Sequence, residues 1–229
     1  MKQLSTAQNL QVIYEDNHII VVNKKIGDLV QGDKTGDKPL SDVVKEYIKN
    51  KYDKPGEVFL GTVHRLDRPT SGIVIFARTS KALTRLNQML KDHQMEKTYW
   101  ALVKNKPQPE QATLVHYLKR NPKNNTSRAH KNEVPESKKG ILEYEVIKSL
   151  QTYHLLEIKL HTGRHHQIRS QLSAIGSPIK GDLKYGFDRS NPNGGINLHA
   201  RKIVFIHPVS KEEITITAPL PNDNLWEKI

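Results

Sequence analysis

The segment His64-Arg65-Leu66-Asp67-Arg68-Pro69-Thr70-Ser71-Gly72 sets one carboxylate between two guanidiniums and beside an imidazole. Neighbouring cations favour the ionised form of an aspartate. An ionised carboxylate in a cationic setting can attack an electron-poor carbon, as glycosidase nucleophiles do. The same residues also suit a purely structural turn, with Asp67 in salt bridges and Thr70 and Ser71 satisfying loop amides. A second constellation is Thr162-Gly163-Arg164-His165-His166-Gln167-Ile168-Arg169. It gathers donors at a helix start, where free backbone N–H groups already favour an anion. With Ile168 facing the core, Arg169 lies one residue round from it, placed to meet a carboxylate or a phosphate bidentately. A metal site is the rival use of His161, His165 and His166. Gly163 interrupts any helix there, adjacent histidines point apart, and neither a cysteine nor a nearby acidic residue completes a ligand set. Metal binding is not expected. Lys97-Thr98-Tyr99 opens a strand, and Tyr99 is either a core aromatic or a phenol that stacks on a base.

These residues need elements to hold them. Branched residues at 12–13 and 19–22 flank Asp16-Asn17 and read as two strands around a turn. Leu40, Val43, Val44, Tyr47 and Ile48 recur at helical spacing. Ile73 to Ala77 is a short apolar run, expected as a strand buried on both faces. Thr79 or Ser80 caps a helix whose inner face is Ala82, Leu83, Leu86 and Leu90. From Lys104 to Lys139 the chain turns polar and proline-rich; apart from a strand around His116-Tyr117-Leu118 it reads as a long basic loop. Strands are expected again at 141–147, 155–160, 198–206 and 214–217, and a helix just past Gly163. With many strands, few helices and no regular βαβ alternation, the class is α+β around one large sheet, in a single domain over 1–229 with its core at about 12–219.

Composition narrows the partners. The 229 residues include 36 Lys and Arg against 24 Asp and Glu, a formal net charge of +12, which favours a polyanion such as nucleic acid. With no cysteine there are no disulfides, thiol nucleophiles or cysteine-ligated metals. No apolar run approaches a membrane span, and the start lacks a signal-peptide core, so a cytoplasmic location is expected and no membrane partner. No leftover amphipathic face asks for a second copy, so a monomer is expected.

Five motifs in order now carry a resemblance. His-Arg-Leu-Asp-x-x-Thr-Ser-Gly stands at 64–72 and Lys-x-Tyr at 97–99. Gly-Arg-x-His-Gln-Ile-Arg follows at 163–169, Pro-Ile-x-Gly-Asp-x-x-Tyr-Gly at 178–186 and Leu-His-Ala at 198–200. Together, over about Val12 to Pro219, they resemble the RluA-type RNA pseudouridine synthases. The resemblance implies a bent, mostly antiparallel mixed sheet with flanking helices and a central RNA-binding cleft. It further implies that Asp67 is the nucleophile, that Tyr99 stacks on the target base and assists proton removal, and that Arg169 pairs with Asp67. His64, Arg65, Lys97, Arg164, His166 and Gln167 are implied as substrate-binding, with Arg65 entering the RNA stack where the uridine leaves. No cofactor and no metal are implied, and the partner is ribosomal or transfer RNA. Lys25 departs from the pattern, which often has proline there, and an N-terminal S4 RNA-binding domain common among relatives is not expected. Two other readings remain: a catalytically silent RNA-binding or assembly protein, and a nuclease or glycosidase needing a second carboxylate, for which Asp182 is the candidate.

Overall fold

Short branched runs separated by polar turns become strands in the computed structural model, which describes residues 4–32 and 36–229. In chain order β1 (Val12–Glu15) and β2 (Ile19–Lys24) precede α1 (Leu40–Lys51), β3 (Gly61–Thr62), β4 (Ser71–Ala77), α2 (Ser80–Lys91) and β5 (Glu96–Val103). Then come β6 (Gln111–Asn121), β7 (Thr126–His130), β8 (Lys138–Ser149), β9 (His154–Leu160), α3 (Gln167–Ala174), β10 (Leu198–Ile206) and β11 (Glu213–Thr217). The chain is α+β and mostly antiparallel, as expected, with antiparallel registers throughout β1·β2, β2·β4, β5·β9, β6·β8 and β8·β9. It divides into two compact units, Met1–Met95 with Ala200–Pro221, and Glu96–His199 with Asn222–Ile229.

In the first unit the strand order is β1-β2-β4-β10, with β11 on β10 and β3 on β4. Every residue of β2 and β4 is buried, the pattern of strands covered on both faces. Side chains alternate along a strand, so Ile20 and Val22 share a face with Val74 and Phe76. Leu40, Val43, Val44 and Ile48 of α1 pack on that face. The helix forms because its apolar residues recur at the helical period. Thr79 caps α2 as expected, its hydroxyl accepting the Ala82 N–H at 3.2 Å. Where the Asp67 turn enters β4, Gly72 has φ +113°, and a Cβ there would sit 2.3 Å from the Ala200 carbonyl oxygen. Only glycine fits both demands.

In the second unit the order is β5-β9-β8-β6-β7, and α3 packs against β6 and β7. Gln171 of α3, fully buried, donates to the Leu114 carbonyl at 3.2 Å and contacts His116 Nδ1 at 3.1 Å. The expected basic loop is instead largely paired: β6 and β7 form a hairpin across residues 122–125, and β8 starts at Lys138. The register places Lys119 opposite Arg128, a like-charge pair that works against pairing and disguises the hairpin in the sequence. Buried Leu118 opposite Ala129 offsets that repulsion, as does the Ser127 N–H, which donates to the Tyr185 hydroxyl at 2.7 Å. The helix expected just past Gly163 begins only at Gln167. His166 stands before it at φ +52°, a left-handed conformation that helical residues do not adopt.

Candidate active site

Asp67 sits in the connection from β3 to β4. Its carbonyl accepts the Thr70 N–H at 3.0 Å and closes a turn, and the Arg68 carbonyl accepts the Gly27 N–H at 2.9 Å. Beneath the turn lies Lys24, only 1% exposed. Its ammonium donates to the carbonyls of Lys25, Arg68 and Thr70 at 3.0, 3.1 and 2.7 Å. An ammonium has three N–H donors, and here three backbone carbonyls face them. Burial pulls the Lys24 pKa down to about 7, while the Asp28 and Asp67 carboxylates pull it up and Arg68 opposes them. The turn is therefore clamped through its backbone.

The side chains around the turn divide. Arg65 is exposed and has no partner among the described residues. Arg68, expected beside Asp67, reaches Asp37 at 2.5 Å. His64 turns inward, its Nε2 accepting the Ile75 N–H of β4 at 3.2 Å. That bond assigns the proton to Nδ1. The departure at Lys25 also finds a use. Its N–H donates to Asp28 Oδ2 at 3.2 Å, a bond proline cannot make, and its ammonium reaches Asn9 Oδ1 at 3.0 Å.

The second unit holds the other expected residues. Arg169 is 5% exposed and bound bidentately to Asp182, Nε to Oδ2 at 2.7 Å and an Nη to Oδ1 at 2.8 Å. Its guanidinium also lies over the Tyr185 ring, 5.0 Å from the centroid. Asp182 is thus the carboxylate that orients this arginine. His166 Nδ1 meets the Tyr185 hydroxyl at 2.8 Å, and its ring stacks on His165 at 3.8 Å. That hydroxyl also accepts the Ser127 N–H, so it joins His166 to the β6–β7 hairpin. His165 Nδ1 in turn meets Ser127 Oγ at 2.8 Å, tying the β6–β7 hairpin to the approach of α3. Gln167 is buried. Its carbonyl accepts from the Thr162 hydroxyl at 2.8 Å and the Arg164 N–H at 3.0 Å, and its amide donates to the Ile141 carbonyl at 3.1 Å. It braces the 162–164 turn. Arg164 is exposed, its Nε donating to the Lys139 carbonyl at 3.0 Å. Tyr99 is 9% exposed, and Lys97 lies two residues before it on the same face of β5. Among the described residues no group of three or more His, Asp or Glu is placed to hold a metal ion.

Sequence reasoning missed Lys24 and the orienting roles of Asp182 and Tyr185. Part of the signal was present: Asp182 and Tyr185 stand in the motif at 178–186. Nothing in their spacing indicates which backbone or side chain each would meet.

A family model for RNA pseudouridylate synthases matches residues 18–174. The chain belongs to that family. It is an RNA pseudouridine synthase, an isomerase that converts uridine in RNA to pseudouridine. The chain is 33% identical to an uncharacterised RNA pseudouridine synthase of Chlorobaculum parvum, across 93% of this chain and 72% of that protein. It is 32% identical to ribosomal large subunit pseudouridine synthase D of Xylella fastidiosa, covering 93% and 67% of the two chains. With tRNA pseudouridine synthase C of Vibrio parahaemolyticus the identity is 28%, over 96% and 93%. The fold of the synthase matches human RNA pseudouridylate synthase domain containing 4 with a TM-score of 0.78 at 22% identity, covering 94% of this chain and 91% of that one.

Proposed function

We propose that this synthase modifies uridines of ribosomal or transfer RNA with Asp67 as its nucleophile. The observation that carries the assignment is the turn at 67–70, whose backbone is clamped by the buried Lys24 while Arg65 beside it is exposed and has no partner among the described residues. A target atom inside a stacked helix is out of reach, so the nucleotide is flipped out at a cost of a few kcal/mol. Arg65 fills the space it leaves. The Asp67 carboxylate attacks an electron-poor carbon of the nucleoside and the N1–C1′ bond breaks. The uracil turns, C5 bonds to C1′, the bond to the Asp67 carboxylate breaks and frees it, N1 takes a proton, and the proton on C5 is lost to solvent, assisted by Tyr99, on which the base stacks. Arg169, held by Asp182, is the third residue that the resemblance assigns to the reaction. The product is an isomer, so the overall reaction balances without a redox cofactor, nucleotide or metal.

The chain acts as one catalytic domain, as a monomer, in the cytoplasm. Relatives named for ribosomal and for transfer RNA support both substrate classes equally. Release of tritium from 5-tritiated uridine in intact RNA tests the reaction. Strand cleavage or free uracil in place of exchange would replace the isomerase with a nuclease or a glycosidase. Binding without exchange would favour a silent assembly protein. Mapping pseudouridines across total RNA with and without the protein identifies the target.

A further inference from the structure

Lys97 carries an ammonium that the protein leaves unanswered. It lies half-buried at the start of β5, and no carboxylate, carbonyl or hydroxyl among the described residues pairs with its Nζ. Burial lowers its pKa below the ordinary lysine value, and no partner acts the other way. Withdrawing an ammonium from water without giving it an acceptor costs free energy. Lys24 shows the alternative within the same chain, with all three N–H groups on carbonyls.

The residue facing Lys97 is Gly163. A Cβ built on it would meet one atom within 4 Å, Lys97 Nζ at 3.7 Å, which is ordinary van der Waals separation. Gly163 is not among the glycines with positive φ. Neither backbone conformation nor packing demands glycine here; the absent side chain keeps one side of the ammonium uncovered. The next residue, Arg164, is exposed; its Nε donates to the Lys139 carbonyl, and its two Nη groups have no partner among the described residues. An uncovered point charge, with an exposed arginine next in sequence to the glycine that bares it, suits an anion with several oxygens such as the non-bridging oxygens of a phosphodiester. Lys97 and Tyr99 share a face of β5, about 7 Å apart along the strand.

We infer that Lys97 Nζ, left bare by Gly163, is the seat of an RNA phosphate, the one adjoining the uridine whose base meets Tyr99. The seat rests on the proposed role of Tyr99 for its place in the reaction, but its affinity for RNA can be measured without turnover.

The test uses unmodified transfer-RNA and ribosomal-RNA transcripts bound to the full chain over a salt series. Lys97→Gln should weaken binding about tenfold, as expected when one charge-assisted hydrogen bond is removed, and flatten the log–log salt slope by roughly 0.7. Lys97→Arg, which keeps the charge, should retain the slope. Gly163→Ala covers the ammonium with one methyl group and should weaken binding less. Because both changes act on one phosphate seat, the double variant should bind no worse than Lys97→Gln alone. RNA should also raise the pKa of Lys97 read from its side-chain NMR signal, whereas inorganic phosphate at the same ionic strength should leave it in place. Unchanged affinity and slope in a Lys97→Gln protein with wild-type melting would overturn the seat. So would additive losses in the double variant, and saturation of the Lys97 signal by inorganic phosphate would make it a small-anion site instead. Should wild type release no tritium while the binding changes appear, the seat survives and the isomerase mechanism does not. Normal tritium release with unchanged binding gives the converse.

Discussion

The Asp67 turn and the 162–169 segment are braced in opposite ways. The turn is gripped through its backbone by one buried lysine distant in sequence, and Arg65 beside it is exposed with no partner among the described residues. In the second segment the side chains themselves are locked: Arg169 on Asp182, His166 on Tyr185, Gln167 on Thr162 and Ile141. Backbone bracing suits a site whose side chains must meet a substrate. Side-chain bracing suits a charge that must keep one direction.

The largest effect expected from this contrast falls on the side-chain lock. Asp182→Ala leaves the buried Arg169 guanidinium without its bidentate carboxylate, and removing one partner of a buried pair costs about 3–5 kcal/mol. Chemical denaturation should show that loss. A change under about 1 kcal/mol would mean the pair does not hold the segment. Lys24→Met comes next. It strands three carbonyls at about 1 kcal/mol each, partly offset by removing a buried charge, for a net loss of about 2 kcal/mol. The folded fraction should also lose turnover, because the turn is no longer clamped. Wild-type turnover in folded Lys24→Met would break the contrast.

The same lysine gives a pH signature. Its folded pKa, about 7, lies below the 10.5 of the unfolded chain, so between these values the unfolded state binds more protons. The cost of burying the ammonium is therefore present in full below about pH 7 and is relieved as pH rises towards 10.5. The stability of wild type relative to Lys24→Met should rise over that interval, by denaturation at several pH values; a flat difference would show that the lysine titrates normally. The smallest effect on folding is expected at the hairpin. Neutralising Lys119, Arg120, Lys123 and Arg128 should barely move the melting temperature, since these side chains are largely exposed and Lys119 opposes Arg128. RNA binding should weaken for any sequence, the salt slope falling by roughly 0.7 for each phosphate no longer neutralised. An unchanged slope would make the hairpin mere connection.

The strands and helices of the first unit were legible because burial there follows periodicity. The apolar run Ile73 to Ala77 of β4, the capped α2 and the amphipathic α1 each carry their signal locally. The hairpin of the second unit was not, because its pairing opposes charge on charge and depends on Ser127 meeting Tyr185, 58 residues away. The late start of α3 was hidden too, since a left-handed histidine leaves no compositional trace. In the candidate site, residue types left Asp67 and Tyr99 open to structural roles, and it was the resemblance that pointed to Asp67, Tyr99 and Arg169. The partners that aim them were invisible: Lys24 lies 44 and 46 residues from the carbonyls of Arg68 and Thr70 that it holds.

The central claim is that Asp67 attacks carbon rather than merely holding its turn. Asn has nearly the same size and shape, and the clamp on this turn acts on backbone carbonyls that Asp67→Asn leaves in place. The decisive measurement is tritium release from 5-tritiated uridine in RNA by purified Asp67→Asn, with its melting curve and RNA affinity taken on the same sample. Melting near wild type, RNA binding equal or slightly tighter as the site loses a negative charge, and no tritium release above background is the predicted result. Substantial release by the well-folded variant would contradict the mechanism.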